Sequence, residues 1–241
     1  MSIKPIALVV GAGDHLGSSI AKRFAAGGLT IVASRRRGDL TKLVESIQDC
    51  GGEAFGFHSD ARNEKDVLDL INKIESELGF IDVCVYNVGG NVSFPILETS
   101  SQVYRKVWEM CAFGGFLTGK EVIKHMLPRK RGTILFTGAS ASLRGKSGFS
   151  AFSGGKQALR ALAQSLAREV GPQGIHVSHV VIDGLIENEN SRKLFQKDYE
   201  ARPQDGILQP SEIAEVYWQI YKQPKTSWTF EIDLRPYSES F

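Results

Sequence analysis

Short apolar runs alternate with long helical patterns along nearly the whole chain, and this alternation constrains the fold more than any other feature. The segments Ile6–Val10, Thr30–Ser34, Ala54–His58, Val83–Asn87, Thr133–Thr137, His176–Ile182 and Thr229–Leu234 read as strands. Most are continuously apolar, as strands buried on both faces are. Helical periodicity fills the gaps near Leu16–Ala26, Leu40–Cys50, Lys65–Leu78, Gln102–Leu127, Ala151–Val170 and Ser211–Tyr221. Such repetition predicts parallel βαβ units in a doubly wound α/β sheet of about seven strands, with helices on both faces. Gly27-Gly28, Gly51-Gly52, Gly79 and Gly171-Pro172 stand where helices should stop, and Asn63 and Ser211 where two should be capped.

A length of 241 residues suits one such domain over 1–241. Only a polar, charge-rich stretch near residues 185–209 breaks the rhythm, and a connection that long reads as a lid over a substrate site. With 42% hydrophobic and 23% charged residues the chain is of ordinary globular composition, and its net charge of +2 gives no case for nucleic acid. The basic runs Arg35–Arg37 and Arg129–Arg131 are short and lack interleaved aromatics. Cys50, Cys84 and Cys111 have no metal-like spacing. No segment has the length of a membrane span or the pattern of a secretion signal. A cytoplasmic protein with no membrane, nucleic-acid or metal partner is expected.

Gly11, Gly13 and Gly17 follow the first strand and open the first helix. Backbone N–H groups and the positive end of the helix dipole at such a place suit a pyrophosphate, which makes the sheet Rossmann-type. Where the second strand ends, an acid would serve the ribose of NAD; here the chain reads Ser34-Arg35-Arg36-Arg37. Arginine forks suit a phosphate, and a solvated basic turn is the plainer alternative.

From Gly148 to Lys156 the chain reads G-F-S-A-F-S-G-G-K. Together with the glycine turn, Asn87-Val88-Gly89 and Asp183-Gly184, this resembles the short-chain dehydrogenase/reductase family almost from end to end. The resemblance implies NADP as cofactor, a homodimer or homotetramer paired through Gln102–Leu127 and Ala151–Val170, and a small-molecule substrate that stays unidentified. It places Gly11, Gly13, His15, Leu16 and Gly17 at the pyrophosphate. Ser34, Arg35 and Arg36 fall at the 2′-phosphate and adenine, with Asp60 and Ala61 beside the adenine. Asn87, Gly89, Lys156, Gly184 and Ile186 fall near the nicotinamide half, with Asn188 where a threonine often meets the carboxamide. His15 replaces one family glycine and Tyr86 the first asparagine of an N-N-A-G turn.

The catalytic half departs from the pattern. The family tyrosine, four residues before the lysine, is Phe152; the serine thirteen positions earlier is Ala139; the helix asparagine is Cys111. Only Lys156 remains of the four. Phenylalanine fills the space of tyrosine but has no proton to transfer. Ser140 is the first candidate for a replacement donor, with a backbone-bonded loop hydroxyl as the alternative. Ser153 points about 100° from Phe152 on a helix and is the weaker candidate. Cys111 is either a thiol acid or a packed small residue. Phe94, Phe149, Leu185 and Glu187–Tyr199 should border the pocket. Three functions stay open: an atypical NADP(H)-dependent oxidoreductase, a non-catalytic NADP(H)-binding sensor or scaffold, and a reductase of activated C=C bonds.

Overall fold

The computed structural model describes residues 5–240. Seven parallel strands form one sheet in the order β3-β2-β1-β4-β5-β6-β7. They are β1 Ile6–Val10, β2 Thr30–Arg35, β3 Ala54–His58, β4 Ile81–Tyr86, β5 Gly132–Thr137, β6 Ile175–Ile182 and β7 Glu231–Leu234. The order reverses between β1 and β4, where the chain leaves the first half of the sheet for the second. In open α/β sheets that crevice, beyond the carboxyl ends of the strands, receives the ligand. β1, β4, β5 and β6 are buried throughout, as mainly apolar strands covered on both faces are, and they bury Asp82, His176, Ser178 and His179 with them.

The helices are α1 Leu16–Ala26, α2 Thr41–Gln48, α3 Glu64–Lys73, α4 Ser101–Trp108, α5 Gly114–Arg129, α6 Ser150–Val170, α7 Glu189–Leu194, α8 Gln196–Glu200 and α9 Pro210–Tyr221. One core lies between the sheet and the α3, α5 and α6 layer, around Leu8, Tyr86, Leu117, Phe136 and Leu159. The other lies under α1, α2 and α9, around Val9, Ile20, Phe24, Ile31 and Tyr217.

Two local expectations are corrected. The stretch expected as a single helix from Gln102 is two helices joined by a wide, π-type turn at Glu109–Phe113. The buried Tyr86 hydroxyl donates to the Met110 carbonyl in that turn at 2.6 Å, and a side chain on Gly114 would collide with the phenol. Asn63 caps α3, accepting from the N–H groups of Lys65 and Asp66. Ser211 caps nothing: Pro210 opens α9 and Gln209 is the flanking residue, because proline is preorganised for the first helical position. α6 stops before Gly171, as expected; that glycine keeps right-handed backbone (φ −56), and the left-handed turn is made by Gly174 (φ +92).

Candidate functional site

The first strand runs into Gly11, whose φ of +86 favours glycine. The N–H groups of Gly11 and Ala12 both donate to the Ser34 carbonyl, at 2.8 and 3.0 Å. A Cβ on Gly11 would stand 2.7 Å from the Asn87 carbonyl oxygen, and one on Gly17 2.5 Å from that of Gly11. The Asn87 side chain closes the turn by donating to the Gly11 carbonyl at 3.1 Å. Around Gly13, by contrast, nothing lies within 4 Å of a Cβ position. Two glycines are thus spent on close packing, while the third leaves open space at the start of α1, which is what a pyrophosphate needs. His15 stands immediately before the helix, half-buried and making no capping bond, and Leu16 is buried beneath it.

At the far end of this groove Arg35 lies in a hollow with Ser18, Lys22 and Lys42. Its Nη1 donates to the Asp14 carboxylate at 2.6 Å, and its Nε to the Arg37 carbonyl. The guanidinium rests on Gly38, where any side chain would displace it. Arg36 and Arg37 are exposed. Ser34 is fully buried, its Oγ without a partner among the described residues, and its carbonyl holds the glycine turn. Asp60 is gripped at both oxygens by Arg62, at 2.9 and 2.6 Å, and that bond holds its carboxyl below the usual range. An adenine contact at Asp60 would share it with Arg62. Ala61 is buried.

The other half of the crevice is built on α6. Lys156 is 3% exposed, and its Nζ donates to the carbonyls of Thr137 at 2.7 Å and Val88 at 3.1 Å. It forms no ion pair among the described residues, and burial lowers its pKa. Gly89 leaves its ammonium room: a Cβ there would lie 3.6 Å from Nζ. The Phe152 ring stands one turn earlier, its centroid 5.9 Å from Nζ. Beside it opens a cavity of about 230 Å³ whose walls include Ser140, Phe149, Phe152, Ser153 and Leu185.

Ser140 and Phe152 are therefore brought together, as expected. Ser153 corrects the angular argument against it: it lines the same cavity, 5% exposed, and its Oγ has no hydrogen-bond partner. Two neighbours on a helix can border one cavity when it is wide enough to wrap the start of the helix. Cys111 is elsewhere, fully buried in the π-type turn, where a Cβ on Gly155 would lie 2.9 Å from its own. It packs the two helices together. Ala139 adds only its N–H, which donates to Ser142 Oγ at 3.1 Å. Phe94 is 40% exposed and does not line the cavity. In the stretch after Gly184, the Tyr199 hydroxyl and the Asn188 side chain both donate to the Ile186 carbonyl, at 2.6 and 3.0 Å, and, against expectation, none of the described residues of Glu187–Tyr199 lines the cavity.

The cavity also holds charges that sequence reasoning missed: Arg144, Arg202, Asp183 and Glu239. In the sequence Asp183 stands out only as half of the Asp183-Gly184 pair. Its carboxylate accepts from Arg144 at 3.0 Å, a contact between two loops that no local pattern announces.

Glycine turn, open helix start and adjoining cavity together define a Rossmann-type nucleotide-binding protein. A family model described as short chain dehydrogenase matches residues 5–198, and the chain belongs to that family. It is 45% identical to a short-chain dehydrogenase from Rhodopseudomonas palustris of known crystal structure, with a TM-score of 0.83 over 97% of this chain and 99% of that one. It is 26% identical over 227 residues to 7alpha-hydroxysteroid dehydrogenase of Escherichia coli K12, covering 92% of this chain and 88% of that protein. A metagenomic short-chain oxidoreductase solved in complex with NADP shares the fold, with a TM-score of 0.83 at 22% identity over 98% of this chain and 99% of that one. No helix among the described residues is long and apolar enough to cross a membrane.

Proposed function

We propose that the chain is an atypical NADP(H)-dependent short-chain oxidoreductase, cytoplasmic and homo-oligomeric. The observation that carries this reading is Lys156: buried, fixed by two carbonyls and facing the crevice, it stands ready while the group it ordinarily assists is a phenyl ring. When bound, the nicotinamide supplies hydride chemistry. The open start of α1 around Gly13 binds the pyrophosphate, and Arg35 takes the 2′-phosphate on releasing Asp14. The remaining N–H of Lys156 orients a ribose hydroxyl. Ser140 and Ser153 are the hydroxyls on the cavity wall able to hold a proton near a substrate oxygen. A positioned acid is worth about 10²–10⁴ in rate and a donor to developing oxyanion charge about 10²–10³. Carbonyl reduction by the native chain is therefore slow.

Phe152, Ala139 and the packed Cys111 together favour a second reading, an NADP(H)-binding sensor or scaffold without turnover. Reduction of activated C=C bonds, with solvent as the proton source, is the third. Turnover of NADPH with reactive diketones and with enones, by the native chain and by Phe152→Tyr/Ala139→Ser, separates them. The doubly restored variant should gain ketone turnover, because Lys156 is already placed beside the new phenol. Native ketone turnover at about 1–10³ per second would refute the reading of Phe152. Its loss in Ser140→Ala or Ser153→Ala would identify the donor.

A further inference from the structure

The cavity beside Phe152 is lined by the cations Arg144, Lys146 and Arg202 and by the carboxylates Asp183 and Glu239. Arg144 pairs with Asp183, yet the arginine side chain is 45% exposed and the aspartate 3%. The other Asp183 oxygen lies 3.3 Å from Arg235, which also pairs with Asp233. Arg202 repeats the arrangement: it meets Glu239 at 2.7 Å, with side-chain exposures of 27% and 16%. A guanidinium has five N–H donors, and these contacts leave several on Arg144 and Arg202 free for a ligand. Lys146, exposed at the rim, forms no ion pair among the described residues; its ammonium lies 5.8 Å over the Phe149 ring. Three lining cations thus stand against two lining carboxylates, leaving one positive charge unmatched.

A second observation lies beside the same space. Ser153 Oγ is buried without a partner on the cavity wall, and a buried hydroxyl left unsatisfied is unfavourable. Between these polar groups lie the rings of Phe149 and Phe152 and the Leu185 side chain, which offer contact to a hydrocarbon or aromatic body and no hydrogen bonds.

We propose that this pocket takes a small organic monoanion: a carbonyl compound bearing a carboxylate next to an apolar body. The carboxylate lies against Lys146, Arg144 and Arg202, and the apolar part against the two phenyl rings. The proposal rests on the cavity being the substrate site of the oxidoreductase reading. Calorimetric titration of the full chain with 2-oxo-3-phenylpropanoate and with its methyl ester, each with and without NADPH, tests it. The acid should bind at least about tenfold more tightly than the ester. Lys146→Glu should remove most of that preference and Lys146→Arg keep it; the exposed, unpaired Lys146 permits both changes without loss of fold, which a thermal melt verifies. Equal affinities, absence of binding, or an acid preference that survives Lys146→Glu overturns the assignment. A failure of NADPH itself to bind overturns the coenzyme reading, while the titrations without NADPH still decide this one.

Discussion

Without coenzyme, Arg35 already has an anionic partner, the Asp14 carboxylate 2.6 Å from its Nη1, and a 2′-phosphate has to displace it. Asp14 is 72% exposed and Arg35 18%, so the pair is a surface one, worth about 0.2–1 kcal/mol. Once displaced, the carboxylate remains close to the phosphate. At about 8 Å in a water-like dielectric each phosphate charge adds about 0.5 kcal/mol of repulsion, reduced by salt. Together these put the opposition to a 2′-phosphate at about 1 kcal/mol, so Asp14→Asn should tighten NADPH binding about fivefold. NADH, which has no 2′-phosphate, should change little. Titrating the native chain and the variant by the fluorescence of each reduced coenzyme measures both numbers. Equal gains for NADPH and NADH, or a loss for NADPH, would refute the claim that Asp14 and the phosphate compete for Arg35.

Three further outcomes follow from particular contacts. His179 is buried with its Nδ1 2.9 Å from Glu231, and burial holds its pKa down to about 4. Between there and the ordinary value of about 6.5 the unfolded chain carries the proton and the folded one does not. Stability should therefore fall on acidification across that window, by up to on the order of 3 kcal/mol. Glu231, held low by Arg160, adds a loss of the same sign below it. Urea melts at pH 7 and pH 4.5 check this, and an unchanged midpoint would contradict it. Tyr86→Phe should cost about 1–3 kcal/mol by leaving the Met110 carbonyl without its donor, read as a lower denaturation midpoint. Trp108, Phe113 and Phe116 stack in a row whose ends are 41% and 42% exposed, so light scattering should find a dimer or larger assembly; a clean monomer at micromolar concentration would exclude it.

The layout of strands and helices was legible because period and punctuation are local properties. β1, β3 and α1 end at the residues expected, and the glycines that close the nucleotide turn are where strand and helix meet. What escaped were facts about direction and distant contact. Ser34 and Arg35 are consecutive, yet one is fully buried and the other half-buried at the end of the strand. Tyr86 reads as a faulty copy of an asparagine until Gly114 and the π-type turn show what its hydroxyl serves. Leu159, on the Ala151–Val170 helix expected at a subunit interface, is fully buried in the core. The charged cavity joins loops that are distant in sequence: Arg144 meets Asp183, and Arg202 meets Glu239.

Lys156 has a consequence for genetics as well as for chemistry. Its ammonium ties the Val88 carbonyl beyond β4 to the Thr137 carbonyl at the end of β5, so it acts as a rivet between two loops as well as a partner for a coenzyme. Substituting it by alanine would orphan two carbonyls and loosen the mouth of the crevice at once. An inactive Lys156→Ala protein would therefore be poor evidence that the lysine takes part in catalysis. Arginine, which keeps the charge and the donors but not the reach, makes the more discriminating allele.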